Sequence, residues 1–184
     1  RSAEWTTRTG KTTHSKRPTV LRDVAIVLVL FDTGIRASEL CGLVVNDYDV
    51  DRGRVHIRHG KGDKARYVIA GNRTQKVLWR YLVTRPRAKP TDPLFATSSN
   101  GHISRTNLRR MLNRIGVNAG VDNVHPHRFR HTFAITFLRN GGNVLLLKEL
   151  LGHESLSTVM EYVRIAEQDI DAGQRHSPVD NWKV

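Results

Sequence analysis

One short segment sets the fold class. From Arg54 to His59, Val55 and Ile57 alternate with basic residues, which is the period of a half-buried strand rather than a helix. Gly60-Lys61-Gly62-Asp63 follows and reads as a hairpin tip, with Tyr67–Ile69 as the returning strand and Asp51-Arg52-Gly53 as a turn in front. Every other patterned stretch has helical spacing. Thr19 is placed to cap a helix that runs through about Asp32 and ends at Thr33-Gly34; being apolar nearly all round, it is expected in the core. Further helices are predicted over Ala37–Leu43, over Asn72–Thr84 with Val77, Leu78, Tyr81 and Leu82 on one face, and over Ser104–Ile115 with Leu108, Met111, Leu112 and Ile115. His127–Asn140 carries a stripe of Phe129, Phe133, Ala134 and Phe137. Asn143 caps Val144–Leu151, Gly152 ends that helix, and Leu156–Val163 is a last short one. The fold class is therefore α+β, mainly helical, with a small antiparallel sheet.

The chain has 184 residues, enough for one domain with a real core. Residues 1–18 are polar and basic and read as a linker or arm; the folded domain is expected over 19–163, with a polar tail over 164–184. A formal net charge of +13 and a pI of about 10.7 favour a polyanion partner, of which nucleic acid is the commonest. The single cysteine, Cys41, lies in an apolar stretch and reads as a core residue. One cysteine makes no internal disulfide, which fits a reducing, cytoplasmic setting. The longest apolar run, Val24 to Phe31, is too short to span a bilayer, so no membrane association is expected. The chain opens on Arg1 rather than Met, as expected of an excised piece of something longer.

Five basic side chains and one tyrosine stand in settings that suit phosphate chemistry. Arg36 begins a helix, where a cation opposes the dipole unless an anion is supplied, and Glu39 one turn on is placed to orient it. Lys61 sits between two glycines at the hairpin tip, with Lys64 and Arg66 following, and can reach into a groove. His127 and Arg130 share a helix face. Arg suits bidentate phosphate binding and His exchanges a proton near neutral pH; His131 points elsewhere and reads as a supporting or core residue. His153 follows a helix-ending glycine, and Tyr162 comes on the next helix, where clustered cations would stabilise its phenolate. Each of these has an ordinary reading when taken alone: a surface Arg–Glu pair, a solvated basic loop, a half-buried tyrosine.

Their order is more specific than any one of them. Thr33-Gly34-Ile35-Arg36-Ala37-Ser38-Glu39-Leu40, then Gly60-Lys61-Gly62-Asp63-Lys64-Ala65-Arg66, then His127-Arg128-Phe129-Arg130-His131-Thr132-Phe133-Ala134, then Leu150-Leu151-Gly152-His153 and finally Tyr162 closely resemble the tyrosine recombinase (phage integrase) family in its Xer-like branch. The resemblance covers roughly Thr19 to Val163. It implies that 19–163 is a tyrosine recombinase catalytic domain, with Arg36 and Arg130 as the arginine pair, Lys61 as the hairpin lysine and Tyr162 as nucleophile. His127 and His153 fill the two histidine positions, and Glu39 the acidic position. Val163-Arg164 follows the tyrosine where many relatives carry Thr-His.

The implied activity is site-specific recombination of double-stranded DNA, as in integration, excision or transposition, by strand cleavage and rejoining through a 3′-phosphotyrosine. Arg36, Arg130 and one or both histidines would meet the charge on the phosphorane, each preorganised donor contributing on the order of 3 kcal/mol. Lys61 would protonate the leaving 5′-oxygen, worth about 10²–10⁴-fold. His127 or His153 would take the phenol proton, and the residues do not choose between them. Lys64, Arg66 and Arg105 are further DNA-binding candidates. No cofactor is implied, and no carboxylate cluster or Cys/His ligand set suggests a metal. The family's N-terminal DNA-binding domain is expected to be missing from this chain, and a homo-oligomer, a tetramer on DNA, is expected; the tail is expected to pack through Val179 and Trp182 on a domain surface, in cis or on a neighbour. The alternatives are a topoisomerase-like nicking-closing enzyme and a catalytically inert DNA-binding module.

Overall fold

The computed structural model describes residues 4–6, 12–14, 19–58, 65–152 and 155–174, with side chains within residues 19–167. Two short strands, β1 (Glu4–Thr6) and β2 (Thr12–His14), pair antiparallel with Trp5 opposite Thr13, inside the stretch expected to be a linker or arm. Helix α1 (Val20–Thr33) follows, then α2 (Ala37–Gly42), a 3-10 turn (Val45–Asp47) and the sheet strands β3 (Tyr48–Asp49), β4 (Arg54–Ile57) and β5 (Arg66–Ile69). The rest of the chain is helical: α3 (Asn72–Val83), α4 (Arg105–Asn118), α5 (Pro126–Arg139), α6 (Val144–Leu151) and α7 (Ser157–Gln174).

The alternation seen in the sequence becomes the sheet. β3, β4 and β5 lie in that order, all antiparallel, with Val55 opposite Val68 and Ile57 opposite Arg66. Val55, Ile57 and Val68 are buried, and Tyr67 and Ile69 face out, as a period of two requires. β3 is two residues long, too short to leave a pattern. No helix among the described residues is long and apolar enough to cross a membrane.

Two apolar clusters organise the molecule. The larger joins α1, α2, the sheet, α3 and α4 around Ile26, Leu30, Ile35, Leu78, Leu108 and Leu112. The smaller, under α5, α6 and α7, contains Ala134, Leu147, Leu151, Val159 and Tyr162. α1 departs from the expectation of an all-round core helix. It buries Ala25, Ile26, Val29 and Leu30, while Val24 and Phe31 on its other side are more than two-fifths exposed. α7 is also longer than the short helix expected. It continues past Val163 to Gln174, so the first part of the predicted tail is helix.

The helix ends matter most for the site. Gly34, at φ +59°, closes α1, and Gly152, at φ +62°, closes α6. Only glycine adopts this left-handed backbone without strain. Both turn the chain sharply, and both stand just before candidate site residues in the sequence, Arg36 and His153.

Candidate active site

The site is built around the carboxyl end of α6. Asn143 caps the front of this helix by accepting from the Leu145 and Leu146 amides. At its far end the last carbonyls have no partner within the helix, and the dipole leaves partial negative charge there. Three arginines from distant parts of the chain take those carbonyls. Arg66 Nε donates to Leu150 O at 2.8 Å, Arg130 Nη2 to Leu151 O at 2.6 Å, and Arg36 Nη2 to Gly152 O at 3.0 Å. Arg130 Nη1 also donates to Gly34 O at 2.7 Å. Each guanidinium is thus held from behind by backbone, with N–H groups left over.

Among the described residues, Glu39 supplies the one carboxylate bonded to these arginines. Arg66 meets it as a fork, Nη1 to Oε1 and Nη2 to Oε2, both at 2.8 Å. Arg36 reaches Oε1 through Nη1 at 3.1 Å, and its backbone amide donates to Oε2 at 2.7 Å. That amide bond satisfies a donor at the start of α2, the orienting role expected of Glu39. Burial pushes the Glu39 carboxyl up, but the hydrogen bonds and charges of Arg66 and Arg36 more than reverse it, and it sits below the usual carboxylate range. Arg130 is 4% exposed. Burial, then the neighbouring Arg36, bring its guanidinium down to about 10, so it is still charged at neutral pH.

In front of these arginines lies an open cavity of about 450 Å³. Arg36, Arg130 and His127 line it, with Arg105, Arg109 and His125 completing the basic wall. No acidic side chain is among the described residues that line it. His127 Nε2 lies 2.8 Å from His131 Nε2. Burial lowers the His127 pKa, with the charges of His131, Arg130 and His125 adding to it, so in this state the ring is neutral at physiological pH.

Tyr162 lies behind the cavity, 4% exposed and packed in the smaller core. Its ring meets His131 edge-on, centroids 5.1 Å apart. Burial raises the phenol pKa; Arg130 opposes this and Glu161 adds to it. The expectation that clustered cations stabilise the phenolate is therefore not met in this state, because desolvation outweighs them. His131 stands between nucleophile candidate and cavity, touching both Tyr162 and His127.

Residues 10–169 match the phage integrase family. The chain belongs to the phage integrase family. It is 39% identical over 148 residues to tyrosine recombinase XerC of Corynebacterium efficiens, covering 80% of this chain and 47% of that protein. A crystal structure of XerA recombinase superposes with a TM-score of 0.76 at 34% identity, over 87% of this chain and 58% of the other. XerH site-specific recombinase, in a post-cleavage complex with its palindromic difH substrate, gives 0.73 at 25% identity over 88% and 48%. The mainly helical fold with its small sheet is thus that of tyrosine recombinase catalytic domains. The chain spans about half the length of the curated relatives it matches.

Within this phage integrase fold, the structure brings together Arg36, Glu39, His127, Arg130 and His131, with Tyr162 behind them and Arg105 on the cavity wall. Lys61, Lys64 and His153 lie outside the described residues, as do Val179 and Trp182. Arg66 has a different place from the DNA-facing one expected. Its side chain is 11% exposed and its fork is closed on Glu39. Cys41 is half-buried, and burial holds its thiol up at about 11, which suits an inert packing residue. Sequence reasoning missed Arg109 and His125. Arg109 was open to discovery, since it stands four residues after Arg105 and so shares its helix face.

Proposed function

We propose that this chain cleaves and rejoins double-stranded DNA through a 3′-phosphotyrosine, as the catalytic part of a site-specific recombinase. One observation carries the reading. Arg36, Arg130 and His127, ninety-four residues apart at the extremes (130 − 36), line a single cavity, and both guanidiniums are fixed from behind by backbone carbonyls. Donors held in this way need no reorganisation when charge develops on a phosphorane, where each contributes on the order of 3 kcal/mol.

The Tyr162 oxygen attacks the scissile phosphorus. A P–O bond forms to the phenol oxygen, and the bond to the 5′-oxygen breaks. The phenol proton passes to His127 or His153, and the leaving 5′-oxygen takes a proton from Lys61. The reverse step, with the 5′-hydroxyl of a partner strand as nucleophile, rejoins DNA and frees Tyr162. Bond energy is kept in the adduct throughout. Since Tyr162 is 4% exposed, in-line attack requires α7 or the turn before it to shift when DNA binds. Assembly as a tetramer on DNA, with Lys64 and Arg105 on the backbone, belongs to the same reading.

The test is a nicked duplex from which the released fragment diffuses away. Wild type should accumulate a covalent protein–DNA adduct, and Tyr162→Phe none, with DNA affinity nearly unchanged. An adduct persisting in Tyr162→Phe would assign the wrong nucleophile. Cleavage that leaves no adduct would overturn the mechanism.

A further inference from the structure

Arg66 begins β5, in register with Ile57 at the end of β4. Three of its N–H groups are committed, two to Glu39 and one to the Leu150 carbonyl. Its Nη1 lies 3.1 Å from where a Cβ on Gly152 would be, so the guanidinium is packed beneath the turn that leads to His153. Nothing about this arrangement offers Arg66 to DNA.

Its effect runs through Glu39. That carboxylate, with 2% side-chain exposure, is shared between Arg66 and Arg36. A buried carboxylate that loses one of two cationic partners is left under-compensated, and it draws the remaining partner onto itself. Arg36 is that remaining partner, and it is also a phosphate donor of the cavity. Its guanidinium is bonded to Glu39 at 3.1 Å, looser than the Arg66 fork at 2.8 Å. We infer that Arg66 is a positioning residue: by occupying both oxygens of Glu39 it keeps Arg36 loosely held and turned toward the scissile phosphate, while tying the start of β5 to the end of α6. The inference rests on the cleavage reading above.

The test is an epistasis measurement on the 184-residue chain, by single-turnover adduct formation on the nicked duplex. Arg66→Ala should slow cleavage about 10²-fold, the cost of misplacing a catalytic group by an ångström or so. Arg66→Ala with Glu39→Gln should then recover about tenfold, a coupling of the size expected within one hydrogen-bonded network. A tether lost for purely structural reasons is not restored by neutralising Glu39, so a double variant no faster than the single overturns the inference. DNA affinity and its salt slope should be unchanged in Arg66→Ala; a slope reduced by about 0.9 would mark a phosphate contact and overturn it equally. If Arg66→Ala does not fold, Arg66→Lys replaces it, since a lysine keeps the charge but not the fork, and the same recovery with Glu39→Gln is required. If wild type forms no adduct, the cleavage reading fails and the inference is judged on orthovanadate affinity: weaker in the single variant, restored in the double, or else overturned.

Discussion

His127 and His131 meet nitrogen to nitrogen, Nε2 to Nε2 at 2.8 Å. One proton can lie between them, donated by one ring and accepted by the other. Two protons would leave donors facing each other and break the contact. The ring that lines the basic cavity is therefore coupled to the ring that touches Tyr162.

The His127 ring should titrate below the ordinary imidazole range in the DNA-free chain. Its folded pKa lies under its unfolded value, so the unfolded chain binds the proton first, and stability falls as pH drops through the ordinary imidazole range. His131→Asn removes one of the like charges and should move His127 back up. Ring NMR over about pH 4 to 8, the range around the usual imidazole value, checks both. An unchanged His127 titration in His131→Asn would show that the two rings are not coupled.

Glu39→Gln should destabilise the fold by about 3 kcal/mol at neutral pH, because Arg66 loses its charge partner in a buried place. The Glu39 pKa is depressed by folding. Its contribution is thus complete above the unfolded carboxylate value and is lost as pH falls through the folded one. Urea unfolding of both proteins should show the gap constant near neutrality and closing only in strongly acidic solution. A gap that stays constant through the strongly acidic range would contradict the charge pairing.

Gly152→Ala should cost more than Gly120→Ala. Both positions have positive φ, and a left-handed alanine costs about 1–2 kcal/mol at either. At Gly120 nothing lies within 4 Å of the added Cβ, while at Gly152 it meets Arg66 at 3.1 Å. Gly152→Ala should also slow cleavage, since the displaced guanidinium anchors Glu39. Thermal unfolding beside adduct kinetics separates the two effects. Equal costs at the two glycines would mean that Arg66 is free to move aside.

Lys61→Ala should slow cleavage of ordinary DNA by about 10²–10⁴-fold, the worth of a general acid. A 5′-bridging sulfur in the substrate should restore the rate, because a thiolate departs without a proton. Equal slowing on both substrates would make Lys61 a positioning residue only.

Much of the fold was legible because it follows from local rules. Gly34 and Gly152 end helices where a left-handed residue is needed, Asn143 caps α6 with its own side chain, and Val55 and Ile57 turn inward at a period of two. The candidate catalytic residues were legible in the same way, from residue types in a specific order. α7 was read too short because the pattern weakens after Val163, and β3 is too brief to have a pattern.

The sequence by itself determined which side chains are available and which local turns present them. Tertiary structure alone decided what each side chain meets. An arginine beside a basic hairpin looks the same whether it faces phosphate or carboxylate, and only the packing of β5 against α6 and α2 sends Arg66 to Glu39 and Leu150. Arg36, Arg66 and Arg130 converge on three consecutive carbonyls at the end of α6 from separations of 116, 84 and 21 residues. Periodicity reports which way a residue points from its own element. It carries nothing about which distant element lies opposite, because that is set by how the two apolar clusters close on each other.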